Sequence, residues 1–240
     1  MRTSPLPKIF FALVIFMVAH LTGFAQIQLG VKAGFNMSNV MLKDENGNRQ
    51  STNNTPGFHA GFIADINIAS DIYFQPGLLF NTKGYEFDYT LSGLSLSLTE
   101  TPYYIEMPLQ LLYKPELGKG KLLVGVGPYI AYGIGGRWTA EVAAGNSSLS
   151  QKGKLVFKND TDGAILDSSS GGSFDLAEKQ VYGKPFDAGG SILAGYEFRN
   201  LFIHLNGQMG LINLMPTING VDTKMTGKNR QFGISVGYKF

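Results

Sequence analysis

Three absences in this 240-residue sequence limit what the protein can be. The chain has no cysteine, which excludes a disulfide framework and leaves no thiol for a lipid anchor after an export signal. Beyond residue 25, no stretch approaches the roughly 18 consecutive apolar residues that mark a transmembrane helix. The chain beyond residue 25 also has no net charge. Of the 20 basic residues, Arg2 and Lys8 lie before residue 26, which leaves 18 to balance the 18 acidic residues. A neutral chain does not attract polyanions, so we expect no nucleic-acid partner.

The first 25 residues have the pattern of an export signal. Arg2 and Lys8 form a basic start, residues 9–19 are an unbroken apolar run, and small residues precede position 26. A retained anchor is the alternative, but the run is short for a helix that must span a bilayer. We therefore predict a cleaved signal peptide at 1–25 and a mature domain at 26–240.

The mature part is built from apolar residues at every second position, in segments of about ten residues. In the closing segment, QFGISVGYKF, the apolar face comprises Phe232, Ile234, Val236, Tyr238 and Phe240. The pattern recurs near 27–37, 57–68, 121–134, 186–198 and 201–212, in a segment that begins at residue 72, and in one that ends near residue 114. The chain is also rich in Gly (31), Phe (17) and Tyr (11), as membrane strands with aromatic girdles are. These features predict an all-β protein, an eight-stranded antiparallel transmembrane β-barrel with up-and-down order.

The connections between these segments alternate between short and long. Short turns lie at 69–71, 115–120 and 199–200, and long polar segments at 38–56, 84–99, 136–185 and 213–228. Outer-membrane barrels have short periplasmic turns and long external loops, whereas a soluble sandwich has no reason to gather its long loops at one end. We therefore predict the outer membrane of a Gram-negative bacterium, with outer-membrane lipid around the barrel.

Two of the turns predict strand register. If residues 199–200 form one turn, Tyr196 faces Ile203, and if residues 92–93 form the tip of a hairpin, Phe80 faces Ile105. Both registers place apolar residues opposite apolar residues, as strand pairing demands.

Two further features predict bulges. Above Asn81 the apolar residues change parity on both arms of the hairpin, which suggests bulges at the membrane rim. Pro76, Pro108 and Pro128 each remove a backbone donor inside a strand, and we expect local bulges there as well.

The hairpin beyond Asn81 is apolar enough to need a cover in water. We expect the 50-residue segment 136–185 to provide it and to form an extracellular cap, with Trp138 as an interfacial anchor. The predicted cap residues are Tyr85, Phe87, Tyr89, Leu94, Leu96 and Trp138.

Polar residues on the inner face predict a filled lumen. The expected network comprises Lys32, His59, Asp65, Glu106, Glu197, His204, Gln208 and Lys239. Eight strands leave an interior just wide enough for side chains, and buried charges must be paired. We therefore expect salt bridges and no open pore; a narrow ion or proton path is the alternative.

Motifs that suggest chemistry are weak. The G-x-S-x-G pattern at 233–237 lies in a strand, not on the strand-to-helix turn that a nucleophile requires. Residues 159–163 resemble part of a calcium loop but lack its terminal Glu. We expect no catalytic residue, metal site or cofactor, and hence no enzyme.

Six segments resemble the PorT-like outer-membrane β-barrel family of Bacteroidetes. They are GVKAGFNMSNV, FQPGLLF, YYIEMPLQLLYKP, GVGPYIAYG, AGYEF and GISVGYKF. The resemblance covers nearly the whole mature chain and implies eight strands and an outer-membrane location. The final Phe240, with Tyr238 in the same strand, resembles the signal read by the barrel-assembly machinery, which implies that machinery as a partner.

Two classes of function fit this reading. The first is a structural or interaction protein that presents its loops to an unknown surface or envelope protein. The second is a narrow channel, or an accessory component for transport or protein secretion across the outer membrane. Water-filled porins use 16 strands or more, so eight strands favour the first class.

Overall fold

The computed structural model describes residues 27–91, 94–144, 147–161 and 179–240. The predicted signal peptide at 1–25 lies outside the described residues. Eight long strands dominate the fold. They are β1 (Ile27–Lys43), β2 (Asn53–Ala69), β3 (Ile72–Thr82), β4 (Leu94–Tyr113), β5 (Gly120–Ala144), β6 (Phe186–Phe198), β7 (Leu201–Gly210) and β8 (Thr226–Lys239). Within the described ranges, no helix has the length and apolar character needed to cross a membrane.

The eight strands close into an antiparallel ring. Each strand pairs with its neighbours in the sequence, and β1 pairs with β8 to complete the circle. The alternation explains the two faces, since Phe35 is 75% exposed on the outside while Asn36 is 3% exposed on the inside. The predicted eight-stranded meander is confirmed.

Both predicted registers are confirmed. Tyr196 pairs with Ile203 beside the turn at 199–200, and Phe80 pairs with Ile105 in the hairpin of β3 and β4. The short turns lie at one end of the ring and the long connections at the other. Because outer-membrane barrels place long connections outside the cell, we call that end the extracellular end.

The long segments are more regular than predicted, because several strands continue past the expected membrane boundary. Additional strands are Tyr85–Leu91, Ser147–Phe157 and Lys179–Gly183, and two-residue pairings occur at Arg49–Gln50, Glu116–Leu117, Asp160–Thr161 and Thr217–Ile218. Tyr85–Leu91, the upper parts of β4 and β5, Ser147–Phe157 and Lys179–Gly183 pair side by side. We call these five strand segments the extracellular sheet. In its described parts, the segment 136–185 contributes upper β5, Ser147–Phe157 and Lys179–Gly183 to this sheet.

The bulges predicted for the arms of the β3–β4 hairpin were wrong. Thr82 pairs with Tyr103 and Tyr85 pairs with Glu100, so one register runs through the change of parity. The apolar residues above Asn81 simply face the barrel axis instead of lipid. What changes along this hairpin is the chemistry of the inner face, which becomes mainly apolar above Lys83.

The bulges predicted at the strand prolines were wrong as well. Pro76 pairs with Leu109, and Pro108 pairs with Tyr129, each without a shift of register. Pro128 likewise pairs in register with Gly190.

A bulge does occur on the neighbouring strand, β5. Tyr103 pairs with Gly135, but Tyr104 pairs with Gly133, so Ile134 is an extra residue. Gly135 has a φ of 148°, which glycine adopts far more readily than other residues. Below the bulge, the even-numbered residues of β5 face lipid; above it, they face the barrel axis.

Candidate functional site

The lumen is filled in layers from the periplasmic to the extracellular end. The lower ion cluster is Asp65, Lys114, Glu197 and Lys239. The lower apolar layer above it is Ile63, Leu112, Leu123, Leu193 and Phe202. The upper ion cluster is Lys83, Glu106 and Asp187. The apolar cap is Val40, Tyr104, Tyr129, Ala131, Trp138, Ala140, Leu155, Tyr182 and Leu214.

The lower ion cluster combines residues of β2, β6 and β8 with Lys114, which lies just after the end of β4. Lys239 Nζ lies 2.5 Å from Asp65 Oδ2, and it also contacts Glu197. Lys114 Nζ contacts Asp65 and lies 3.4 Å from Glu197 Oε2. Two cations and two carboxylates balance, which lets all four be buried. The prediction missed Lys114, although it continues the parity of the inward residue Glu106 one position beyond the end of β4.

The upper ion cluster is centred on a lysine that sequence reasoning left unassigned. Lys83 Nζ lies 3.0 Å from Glu106 Oε2 and 3.4 Å from Asp187 Oδ2. Glu106 also accepts hydrogen bonds from Asn81 Nδ2 at 2.9 Å and Gln208 Nε2 at 2.6 Å. Because Lys83 immediately follows β3, it looked like the start of a loop. Lys83 is two residues beyond the inward residue Asn81, and this alternation could have predicted that its side chain also faces inward.

Asp187 completes the upper ion cluster at the start of β6. It accepts hydrogen bonds from Asn229 Nδ2 at 2.9 Å and from the Tyr129 hydroxyl at 3.2 Å. The Tyr129 ring also lies 4.3 Å from Lys83 Nζ, as a cation–π partner. Each buried charge in this layer therefore has several partners.

Lys32, His59 and His204 line a small chamber between the two ion clusters, with a volume of about 20 Å³. His59 Nε2 lies 2.7 Å from Ser235 Oγ, whereas His59 Nδ1 and both ring nitrogens of His204 have no protein partner. His204 stacks on Phe202, with ring centroids 5.7 Å apart. A chamber of this size, lined by unpaired polar atoms, suits one ordered water molecule.

The His59–Ser235 pair places the serine of the G-x-S-x-G pattern beside a histidine. Ser235 is 1% exposed and His59 is 2% exposed, so no substrate can approach the hydroxyl. The Ser235 hydroxyl also hydrogen-bonds Asn206 Oδ1 at 3.2 Å. The geometry is that of a lumen hydrogen-bond network. Within the described ranges, no three His, Asp or Glu side chains are grouped as metal ligands.

Trp138 lies in the apolar cap, so its predicted role as an interfacial anchor was wrong. It is 1% exposed. The bulge at Ile134 is the physical reason, because it turns the even-numbered residues of upper β5 inward. Tyr182, on Lys179–Gly183, closes the cap from above, with its ring 5.5 Å from that of Phe157 and 6.2 Å from that of Tyr85.

The other predicted cap residues form a gradient along the inner face of the extracellular sheet. Tyr85 packs against the apolar cap, Phe87 and Leu96 are half-buried, and Tyr89 is 52% exposed. The side chain of Leu94 lies outside the described residues. Near the tip of the sheet, Tyr89, Leu96, Val142 and Leu149 pair in one row across four strands. We call these four residues the tip row.

The predicted assembly residues end the last strand on the outer wall. Tyr238 is 44% exposed and Phe240 is 70% exposed, and their ring centroids are 5.7 Å apart. The Phe240 N–H donates to the Leu29 carbonyl at 2.8 Å, which holds the end of the chain against β1.

A closed ring of eight strands with an apolar outer wall and a charged, filled interior defines an integral outer-membrane β-barrel. The family model described as "Outer membrane protein beta-barrel domain" matches residues 24–215. The chain belongs to this family.

Solved structures of small barrels resemble the chain at low sequence identity. Ail, the attachment invasion locus protein of Yersinia pestis, is 11% identical over 89% of this chain and 98% of that one, with a TM-score of 0.33. OprG from Pseudomonas aeruginosa is 11% identical over 91% and 98%, with a TM-score of 0.39. Neisserial surface protein A is 13% identical over 88% and 97%, with a TM-score of 0.37. No curated protein sequence matches the chain.

Proposed function

We propose that this protein is a closed barrel that acts as an interaction protein of the cell surface, through its extracellular sheet. The observation that carries the proposal is a contrast between the two ends of the molecule. The lumen is filled by two ion clusters and two apolar layers, whereas the extracellular sheet continues well above the ring. A channel protein would need an open lumen. Here the lumen is filled, and the extended extracellular sheet is the part available to bind a partner.

The tip row is the part of the extracellular sheet best suited to bind a partner. Tyr89 is 52% exposed and Leu149 is 56% exposed, at the far end of an otherwise covered face. The opposite face of the sheet carries Glu141 and Lys152, both exposed. Exposed aromatic and aliphatic residues are typical of the core of a protein interface, from which charged residues are depleted. We therefore assign the tip row to an envelope or surface protein partner.

The narrow channel is the weaker alternative because of what the lumen contains. A permeating ion would have to cross the lower apolar layer and separate Lys114 and Lys239 from Asp65. It would then have to pass the apolar cap, where Trp138 and Tyr182 occupy the axis. These barriers also weigh against an enzyme inside the barrel, since a substrate would meet the same obstructions.

The finer identity of the chain belongs to the same proposal. The six PorT-like segments support membership in that group of Bacteroidetes barrels. Export through a signal peptide at 1–25 fits a family match that begins at residue 24. Tyr238 and Phe240, exposed at the end of β8, are in place to be read by the barrel-assembly machinery before lipid covers them.

Two measurements test the proposed function. In planar bilayers, we expect the full mature protein to give no stable conductance steps. In cells, we expect the amount of surface partner cross-linked to the double variant Tyr89→Ser/Leu149→Ser to be at least tenfold lower than the amount cross-linked to the wild-type protein.

The matched control is Glu141→Ser/Lys152→Ser, on the opposite face of the same sheet, which should keep the partner. Large, stable conductance steps would replace the proposal with a channel. Equal cross-linking in both double variants would show that the tip row does not bind the partner.

A further inference from the structure

A connected run of like charges lies on the outer wall at the extracellular end. Lys43, at the end of β1, is directly opposite Arg49. Lys228 on β8 is a diagonal neighbour of Lys43, because Lys43 pairs with Thr226. Arg230 follows two positions further along β8. We call Lys43, Arg49, Lys228 and Arg230 the basic rim.

The basic rim faces away from the lumen, just above the apolar belt. Asn229, between Lys228 and Arg230, is 2% exposed, so its two neighbours on β8 point outward. Phe232, the next outward residue below Arg230, is 59% exposed. Strand residues rise about 3.3 Å each, which puts Arg230 about 7 Å above Phe232. The outer face of β8 therefore changes from apolar to cationic within about 7 Å along the strand, as expected where a barrel reaches the membrane interface.

No carboxylate in the described part of the chain pairs with the basic rim. Asp44 is adjacent in sequence, but its side chain accepts the backbone N–H groups of Asn46 at 2.9 Å and Asn48 at 2.8 Å. The hydrogen bond from the Asn48 N–H holds the pKa of Asp44 below its ordinary value, so this carboxylate is charged but committed to its own turn. Arg230 Nη2 lies 3.2 Å from Met41 Sδ, which carries no charge.

This arrangement is unfavourable without an anion. Like charges directly opposite one another on paired strands repel, as Lys43 and Arg49 do. Lysine and arginine on the lipid-facing wall of a barrel are tolerated only near the interface. An anion seated among the four cations would reduce the repulsion, and a phosphate can accept paired hydrogen bonds from an arginine.

We propose that the basic rim binds the phosphorylated headgroup of an outer-leaflet glycolipid. The position supports a lipid over a soluble anion, because the rim continues the apolar wall that acyl chains must cover. The lipid's phosphate would lie between β1 and β8, and its chains would lie along Phe35 and Phe232. The inference concerns the outer wall and is independent of the partner proposed for the tip row.

The test uses the full mature protein in a neutral detergent with bis-phosphorylated lipid A and with the same lipid after removal of its phosphates. The variant Lys43→Gln/Lys228→Gln/Arg230→Gln removes three charges from the basic rim. The control Lys119→Gln/Lys152→Gln/Lys158→Gln removes three exposed charges elsewhere. We expect the rim variant to bind phosphorylated lipid about 100-fold more weakly than wild type, and the control variant to bind it normally.

The dephosphorylated lipid should bind all three proteins equally weakly. If wild type binds both lipids alike, or if the two triple variants lose affinity alike, the proposal is overturned. Inorganic pyrophosphate tests whether the lipid part of the ligand matters. If wild type binds pyrophosphate as tightly as lipid A, the basic rim is a site for soluble anions and the proposal is overturned. Should the rim variant not fold, Lys228→Gln alone is expected to weaken lipid binding about fivefold, and no change would overturn the proposal.

Discussion

At the scale of single residues, the buried lysines differ in how much each depends on its neighbours. In the lower ion cluster, Asp65 contacts both Lys114 and Lys239, so either cation can still neutralise it after loss of the other. In the upper ion cluster, Lys83 is the one cation of the described residues that contacts Glu106 and Asp187. Its loss would leave two buried carboxylates with hydrogen bonds but without a contacting cation.

We therefore expect Lys83→Met to lower the free energy of unfolding by about 3–5 kcal/mol, the usual cost of breaking a buried ion pair from one side. Urea unfolding in lipid vesicles measures it. Lys152→Met, on the exposed outer face, is the control and should change the free energy of unfolding by less than about 0.5 kcal/mol. A cost for Lys83→Met as small as that of the control would mean that the cluster does not need its cation.

Trp138 is the single tryptophan of the chain, which makes its environment directly measurable. Because it is 1% exposed within the apolar cap, we expect blue-shifted emission and little quenching by aqueous iodide. Brominated lipids should also quench it weakly, since the ring faces the barrel axis. Strong quenching by brominated lipid would show that Trp138 faces the membrane interface, which would contradict the bulge at Ile134.

At the scale of the strand, the bulge in β5 decides which residues enter the cap. We expect Gly135→Val to destabilise the barrel by about 1–3 kcal/mol, because valine strongly disfavours a φ of 148°. No atom lies closer than 3.9 Å to a Cβ added there, so the cost comes from the backbone and not from a clash.

Gly190→Val is the matched control for this bulge prediction. Gly190 faces outward on β6 with no atom within 4 Å of an added Cβ. Urea unfolding of the two variants under identical conditions provides the comparison. Equal stability would show that the bulge does not need a glycine.

The same strand shows what the sequence could and could not predict. Alternation and tight turns were enough for the ring and for registers such as Tyr196 opposite Ile203, because both are local patterns. The bulge at Ile134 was invisible, since one extra residue in a glycine-rich run leaves no periodic trace. On β5, that one residue decides which side chains above the bulge face the barrel axis, including Trp138. The pairing of Lys83 with Asp187 was missed because Lys83 follows the end of β3 and Asp187 is distant in sequence.

At the scale of the whole molecule, the ring leaves no open edge among its eight strands, and its outer wall is apolar. We expect the mature protein to need detergent and to migrate faster on gels before boiling than after it, because the closed ring resists detergent unfolding. Gel electrophoresis of paired samples measures the shift. A chain that stays dissolved and monomeric without detergent would be incompatible with the fold described above.

The lower ion cluster also sets an order of events during biogenesis. Its cation from β8, Lys239, lies at the end of the last strand of the ring, whereas its carboxylate partner Asp65 lies in β2. The cluster therefore cannot be completed until β8 has paired with β1, a long-range closure that is intrinsically slow. Before β8 joins the ring, Lys114 faces both Asp65 and Glu197, and two carboxylates against one lysine are costly to bury. Burial of these charges is thus coupled to closure of the ring.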